Sequence, residues 1–203
     1  MLVLLKGGYD GVGVEAEQEI SYRLQDWVRE IAGTLIIILA LILIINAVSG
    51  RYKVIGSSML PTLVDGEYVL ASKMAYWIGE PQRGDIIVLR PPAGDVPYVK
   101  RIIGLPGERV AVRDGRVFIN DVVLNEPYIS GPAMYTGEWV VAENTYFVLG
   151  DNRNNSSDSH AFGVVPREHI LAKAIMGYWP LKRMAFLQYP RYPELLAQGR
   201  DHE

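Results

Sequence analysis

The chain has 203 residues, 49% of them hydrophobic, with a net charge of only −3 and no cysteine. That length holds one domain and an appendage, and the charge balance excludes both disorder and a basic footprint for nucleic acid. Without cysteine there are no disulfides, thiolate metal sites or cysteine nucleophiles, and the oxidising side of a membrane poses no redox hazard.

The first residues are polar and mixed. Met1 to Leu5 is too short an apolar run for a signal peptide, and Gly7, Gly8, Gly11 and Gly13 predict a flexible lead-in. From Glu15 to Glu30, Ile20, Leu24, Trp27, Val28 and Ile31 recur at helical spacing among charges. This reads as a helix entering a membrane, with Trp27 near the headgroups and Arg29 at the cytoplasmic edge. Ile31 to Val48 then carries no charge. As a helix it rises about 27 Å, close to the thickness of a bilayer core, and its apolar character runs all the way round. A buried core helix would keep a polar side. Lys6, Arg23 and Arg29 precede the span while Arg51 and Lys53 follow it, so the positive charge leans slightly towards a cytoplasmic N-terminus. The expected layout is a cytoplasmic segment (1–30), a transmembrane helix (31–49), an extracytoplasmic catalytic β domain (50–187) and a loose tail (188–203).

Next comes Gly56-Ser57-Ser58-Met59-Leu60-Pro61-Thr62-Leu63. A glycine lets backbone approach a ligand closely, and a proline fixes φ just downstream. A hydroxyl between those restraints is aimed better than one on an ordinary loop, as a nucleophilic serine requires. By itself the octapeptide is equally a serine-rich turn between strands. Met74-Ala75-Tyr76-Trp77-Ile78 follows as an aromatic patch. It is either core or a face for the bilayer surface, where Tyr and Trp are favoured.

Short β-strands are predicted at 68–71, 85–89, 98–103, 110–112, 116–119, 139–141 and 145–149. Asp65-Gly66, Arg83-Gly84, Pro106-Gly107, Asp114-Gly115 and Asn120-Asp121 punctuate them, and Asp114-Gly115 is a strong hairpin signal. Arg167 to Met176 reads as a short helix. The spacing favours a mainly β, antiparallel, barrel-like domain of folded sheets.

Two kinds of base could serve Ser58. A Ser-His-Asp triad would recruit His160, His169 or His202, of which His202 lies in the tail and His169 in a polar stretch. A lysine would need burial to bring its proton affinity towards neutrality, and Lys100 lies in the apolar strand-like run Tyr98 to Ile103. An outward-facing strand lysine is the plainer reading of the same position. The three scattered histidines have no metal-ligand spacing and the Asp-rich stretch lacks a calcium-loop pattern, so no metal or organic cofactor is expected.

Four stretches, in order, resemble the boxes of type I signal peptidases: 56–63, Gly84-Asp85-Ile86-Ile87-Val88, Tyr98-Val99-Lys100-Arg101-Ile102-Ile103-Gly104-Leu105-Pro106-Gly107-Glu108, and Gly150-Asp151-Asn152-Arg153-Asn154-Asn155-Ser156-Ser157-Asp158-Ser159. The likeness runs from the apolar helix to Pro166. It implies a membrane-anchored serine endopeptidase with a Ser/Lys dyad on a mostly β, signal-peptidase/LexA-like domain. Its expected partners are signal peptides of exported preproteins, cleaved after small residues, with the phospholipid membrane and a secretion translocon nearby, and no nucleic acid.

Matched position by position, the resemblance implies Ser58 as nucleophile and Lys100 as general base. Ser156 would hydrogen-bond and orient the lysine, and Asp158 would join the polar network, with Arg101, Asp151 and Asn152 in support. Val54, Gly56, Met59, Leu63 and Val99 fall where the family binds small side chains. Gly56 stands where some members carry an oxyanion-hole serine, which leaves the Ser58 backbone N–H, with Ser57 or a water. His160 stands where arginine is usual, and the segment between Gly107 and Gly150 leaves no room for a large accessory domain. Two alternatives belong to other classes: a LexA-like self-cleaving regulator, which would carry a DNA-binding region in place of Ile31–Val48, and a tethered β binding module with no need of Lys100.

Overall fold

The computed structural model describes residues 10–92 and 94–198. Met1–Leu5, Lys6, Gly7 and Gly8 lie outside the described residues, as do residues 199–203 of the tail. The chain divides into two compact units, 1–46 and 47–203.

The first unit is dominated by α1 (Asp10–Val48). Gly11 and Gly13, expected in a flexible lead-in, are part of this helix. The run of strong helix formers Glu15-Ala16-Glu17-Gln18-Glu19 offsets the modest cost of two glycines once the helix is nucleated. No break separates residue 30 from residue 31. Asp26–Val48, 23 residues with mean hydropathy 2.9, is long and apolar enough to cross a membrane.

The second unit is mainly β and antiparallel, as its turn spacing predicts. Its strands are β1 (Ser49–Lys53), β2 (Tyr68–Ser72), β3 (Ile86–Leu89), β4 (Tyr98–Gly104), β5 (Arg109–Arg113), β6 (Arg116–Ile119), β7 (Val122–Val123), β8 (Gly137–Val140) and β9 (Thr145–Leu149). After these come β10 (Val165–Pro166), β11 (Ile170–Trp179) and β12 (Ala185–Phe186). One sheet runs β1-β2-β11-β3-β4-β9-β10, with β12 also on β11; a smaller one runs β7-β6-β5-β8. Short helices α2 (Ala75–Ile78), α3 (Ser159–Phe162) and α4 (Pro193–Gln198) decorate them. Asp114 (φ 50°) and Gly115 (φ 73°) turn the β5–β6 hairpin in the left-handed conformation that such two-residue turns demand.

Two expectations fail here. The segment 167–176 is one 3-10 turn at Arg167–His169 followed by β11, not a helix. Ile170, Ala172 and Ala174 are buried while Leu171, Lys173 and Ile175 are partly exposed, the period of a strand. Pairing with β2 on one edge and β3 on the other overrides the helix propensity of Leu, Ala, Lys and Met. The tail is also not loose over 188–195. Tyr189 donates to the Ala174 carbonyl, Tyr192 is buried with Val110, Ile119 and Phe147, and Glu194 accepts from the Asn125 N–H at 3.0 Å. Two large aromatic side chains supply the apolar area that a polar, proline-bearing tail otherwise lacks.

Candidate active site

The turn carrying Ser58 is held on both sides. Upstream, Gly56 adopts φ +88° and donates its N–H to Asp65 Oδ1 at 2.7 Å. Downstream, Leu60 N–H reaches the Ser57 carbonyl at 3.2 Å and Leu63 N–H the Met59 carbonyl at 2.9 Å. Met59 and Leu63 sink into a cluster with Val54, Val69, Ile86 and Ala174, with Val99 packed against it. Buried apolar anchors on either side of a half-buried serine hold the turn and present its hydroxyl to the neighbouring strand.

Lys100 reaches the same point from β4, where it pairs with Ile87 of β3. Its Nζ stands 2.8 Å from Ser58 Oγ and 5.3 Å from the Tyr98 ring centroid. The residue is only 3% exposed. Burial lowers the ammonium from its ordinary 10.5 to about 8, against the pull of Asp158 and Asp151, which favour the charged form. The β4 strand places Arg101 next along, and its guanidinium makes two parallel bonds to Asp151, Nε to Oδ1 at 2.8 Å and Nη2 to Oδ2 at 2.7 Å. Arg101 also donates to the Gly84 carbonyl at 2.9 Å, and Thr62 Oγ1 donates to Asp151 Oδ2.

The 150–159 segment clasps the serine turn from the far side. Asn152 donates its backbone N–H to the Ser58 carbonyl at 3.0 Å and its Nδ2 to the Ser57 carbonyl at 3.1 Å. Asn155 Nδ2 donates to Ser57 Oγ at 2.7 Å. A Cβ on Gly150 would collide with the Ser58 carbonyl oxygen and with Ser156 Oγ. Asp158, fully buried, accepts from the Gly150 N–H at 2.8 Å through Oδ2 and lies 2.7 Å from His160 Nδ1 through Oδ1.

Of the residues singled out from the sequence, Ser57, Ser58, Lys100, Arg101, Asp151, Asn152 and Asp158 are joined by this network. Ser156 is adjacent but does not hydrogen-bond Lys100: its Oγ is buried without a partner among the described residues. The hydroxyl lies in the space that Gly150 leaves by lacking a side chain. Val54, Met59 and Val99 line a groove of about 330 Å³ that opens onto Ser58 and Lys100. Gly56 and Leu63 are not on its wall; Leu63 is wholly buried in the cluster that also holds Met59.

Sequence reasoning missed Asn155 and Thr62 as contacts, although both stand inside stretches it singled out. It also missed Lys53, Ile55, Val96, Pro97, Tyr98 and Ser157 on the groove wall. Val54, just past the end of β1, and Val99, on β4, carried the only signal, and only for their sequence neighbours Lys53, Ile55 and Tyr98.

A buried amine against a half-buried serine, beside an apolar groove, can take a hydroxyl proton and return it to a leaving group. Residues 24–179 match the family model described as "Signal peptidase, peptidase S26". The chain is 44% identical over 142 residues to signal peptidase I of Leptolyngbya laminosa, covering 66% of this chain and 70% of that one. It is 43% identical over 138 residues to a probable signal peptidase I-2 of Synechocystis sp., covering 64% and 63%. A crystal structure of a signal peptidase I from Enterococcus faecalis V583 aligns at 35% identity and a TM-score of 0.44, over 47% of this chain and 97% of that one.

Proposed function

Because the chain belongs to the signal peptidase family, peptidase S26, we propose that it is a membrane-anchored serine endopeptidase that removes signal peptides from exported preproteins. The observation that carries this reading is the 2.8 Å approach of Lys100 Nζ to Ser58 Oγ inside a buried wall. Neutral Lys100 accepts the hydroxyl proton as Ser58 Oγ attacks the carbonyl carbon of the scissile bond. The oxyanion forms beside the Ser58 backbone N–H, which none of the bonds fixing the turn consumes. Lys100 then passes its proton to the departing amine, and the acyl group remains as an ester on Ser58. In the second half, Lys100 takes a proton from water, the resulting nucleophile attacks the ester, and the proton returns to Ser58.

The groove gives the specificity. Val54, Met59 and Val99 wall a space next to the nucleophile, and there we place the small side chains that precede the cut. The same wall keeps water from Lys100, and a bound peptide would complete the enclosure.

The segment Asp26–Val48 serves as the anchor, with the N-terminal side cytoplasmic and the β domain extracytoplasmic, beside the translocon that delivers the substrate. The test mixes the full chain in detergent with a radiolabelled preprotein and identifies the new N-terminus. A single cut after a small residue, lost in Ser58→Ala, supports the reading; an uncut preprotein, or equal cutting by Ser58→Ala, contradicts it.

A further inference from the structure

The polar network includes one contact the reaction above does not use. His160 Nδ1 lies 2.7 Å from Asp158 Oδ1, and the imidazole stacks on Tyr135 at 4.1 Å between ring centroids with 15° between planes. Asp158 is sealed from solvent, whereas His160 keeps a quarter of its side chain exposed. Asp158 is the carboxylate that most strongly favours the charged form of Lys100. A buried carboxylate that acts on the base is therefore tied to a partner that can exchange protons with solvent.

Resting on the Ser58/Lys100 reading, we propose that His160 is a positioning residue that sets, through Asp158, how readily Lys100 gives up its proton. The physical reason is charge compensation. An imidazolium on Asp158 cancels much of the carboxylate's field, so Lys100 releases its proton more easily. A neutral imidazole still donates Nδ1–H to Asp158 but leaves the negative charge in place, so Lys100 holds its proton more tightly. A permanent cation at position 160 would make that compensation independent of pH, and an uncharged side chain there would abolish it.

The other groups facing His160 do not replace it. Tyr135 presents its ring, and its buried phenol is pushed well above the ordinary tyrosine range, so it stays neutral. Arg153 is engaged with Glu126, both members of the pair being buried. Asp151 is matched by Arg101. Among the described residues, Asp158 is the buried carboxylate of the site whose compensation depends on a side chain that can lose its charge.

The test uses the full chain in detergent with ¹³Cε-lysine, the Lys100 signal assigned by its absence in Lys100→Met, and reads its titration in the parent, His160→Arg and His160→Gln. The Lys100 midpoint should be lowest in His160→Arg and highest in His160→Gln, which carries no charge, with about half a pH unit or more between the two. Preprotein cleavage should follow, with His160→Arg about threefold faster than His160→Gln on the acid limb and equal at the alkaline plateau. In an Asp158→Asn background the difference between His160 and His160→Arg should vanish. If the midpoints in His160→Arg and His160→Gln coincide, His160 is only a structural contact and the inference is wrong. Shifted midpoints without any cleavage would leave the electrostatic link standing and overturn the peptidase reading instead.

Discussion

Arg101 and Asp151 face each other through two parallel hydrogen bonds at 2.8 and 2.7 Å, with side chains 1% and 0% exposed. The pair joins the strand that carries Lys100 to the segment that clasps Ser58, and Thr62 brings the serine turn to the same carboxylate. Removing one partner strands a buried charge. We expect Asp151→Ala to lose about 3–5 kcal/mol of stability. Thermal unfolding followed by near-ultraviolet circular dichroism reads this as a fall on the order of 10 °C. A loss below about 1 kcal/mol would mean that the pair is not holding the site together.

Gly150 packs directly against the turn that carries Ser58. A methyl group there would push against the Ser58 carbonyl, which is backbone and cannot swing aside, and against Ser156 Oγ. Gly150→Ala should therefore displace the nucleophile while the sheets persist. A shift near 1 Å costs about a hundredfold in rate. We expect kcat to drop by at least about that factor with circular dichroism unchanged; an active Gly150→Ala protein would show that the turn can relax.

Lys100 is held at about 8, below its ordinary 10.5, chiefly by burial. Its folded-state proton affinity is thus lower than in the unfolded chain, so the unfolded chain binds the proton more tightly between those two values. The stability penalty is fully present below about 8, shrinks as pH rises and is gone above 10.5. Lys100→Met should be inactive yet more stable than the parent at neutral pH, by an amount on the order of 3 kcal/mol. The gap should close between pH 8 and 10.5; curves that stay parallel across this range would contradict a depressed lysine.

At the Met74–Ile78 patch the structure separates two roles. Tyr76 is buried and donates to Asp85 Oδ2 at 2.8 Å, whereas Trp77 and Ile78 are 68% and 81% exposed. If this face meets the bilayer, a protein with Trp27, Trp139 and Trp179 replaced by phenylalanine should lose Trp77 fluorescence when reconstituted with brominated lipid. Unquenched emission would place Trp77 in water.

Much of the β domain was legible because its strands end at turn residues whose backbone demands are local, as at Asp114-Gly115. β11 was not, because Leu171, Ala172, Lys173 and Ala174 are good helix formers whose strand conformation comes from β2 and β3, distant in sequence. Tyr189 and Tyr192 were hidden for a similar reason: nothing near Pro190 announces the core that receives them. In the site, Ser58 and Lys100 could be singled out by motif and by the apolar run around the lysine. The Asn155–Ser57 contact and the orphaned Ser156 hydroxyl depend on how the 150–159 segment folds back, a geometry that spacing does not encode.

The most direct measurement is the single-turnover cleavage rate of a preprotein by the reconstituted full chain, as a function of pH, for the parent, Ser58→Ala and Lys100→Met. The account predicts a parent rate that rises with pH through about 8, the range in which Lys100 becomes neutral. Both variants should fall by about 10⁴-fold or more at every pH, since nucleophile and base act as a unit. A Lys100→Met protein that cleaves within tenfold of the parent, with the same pH dependence, would contradict the Ser58/Lys100 mechanism.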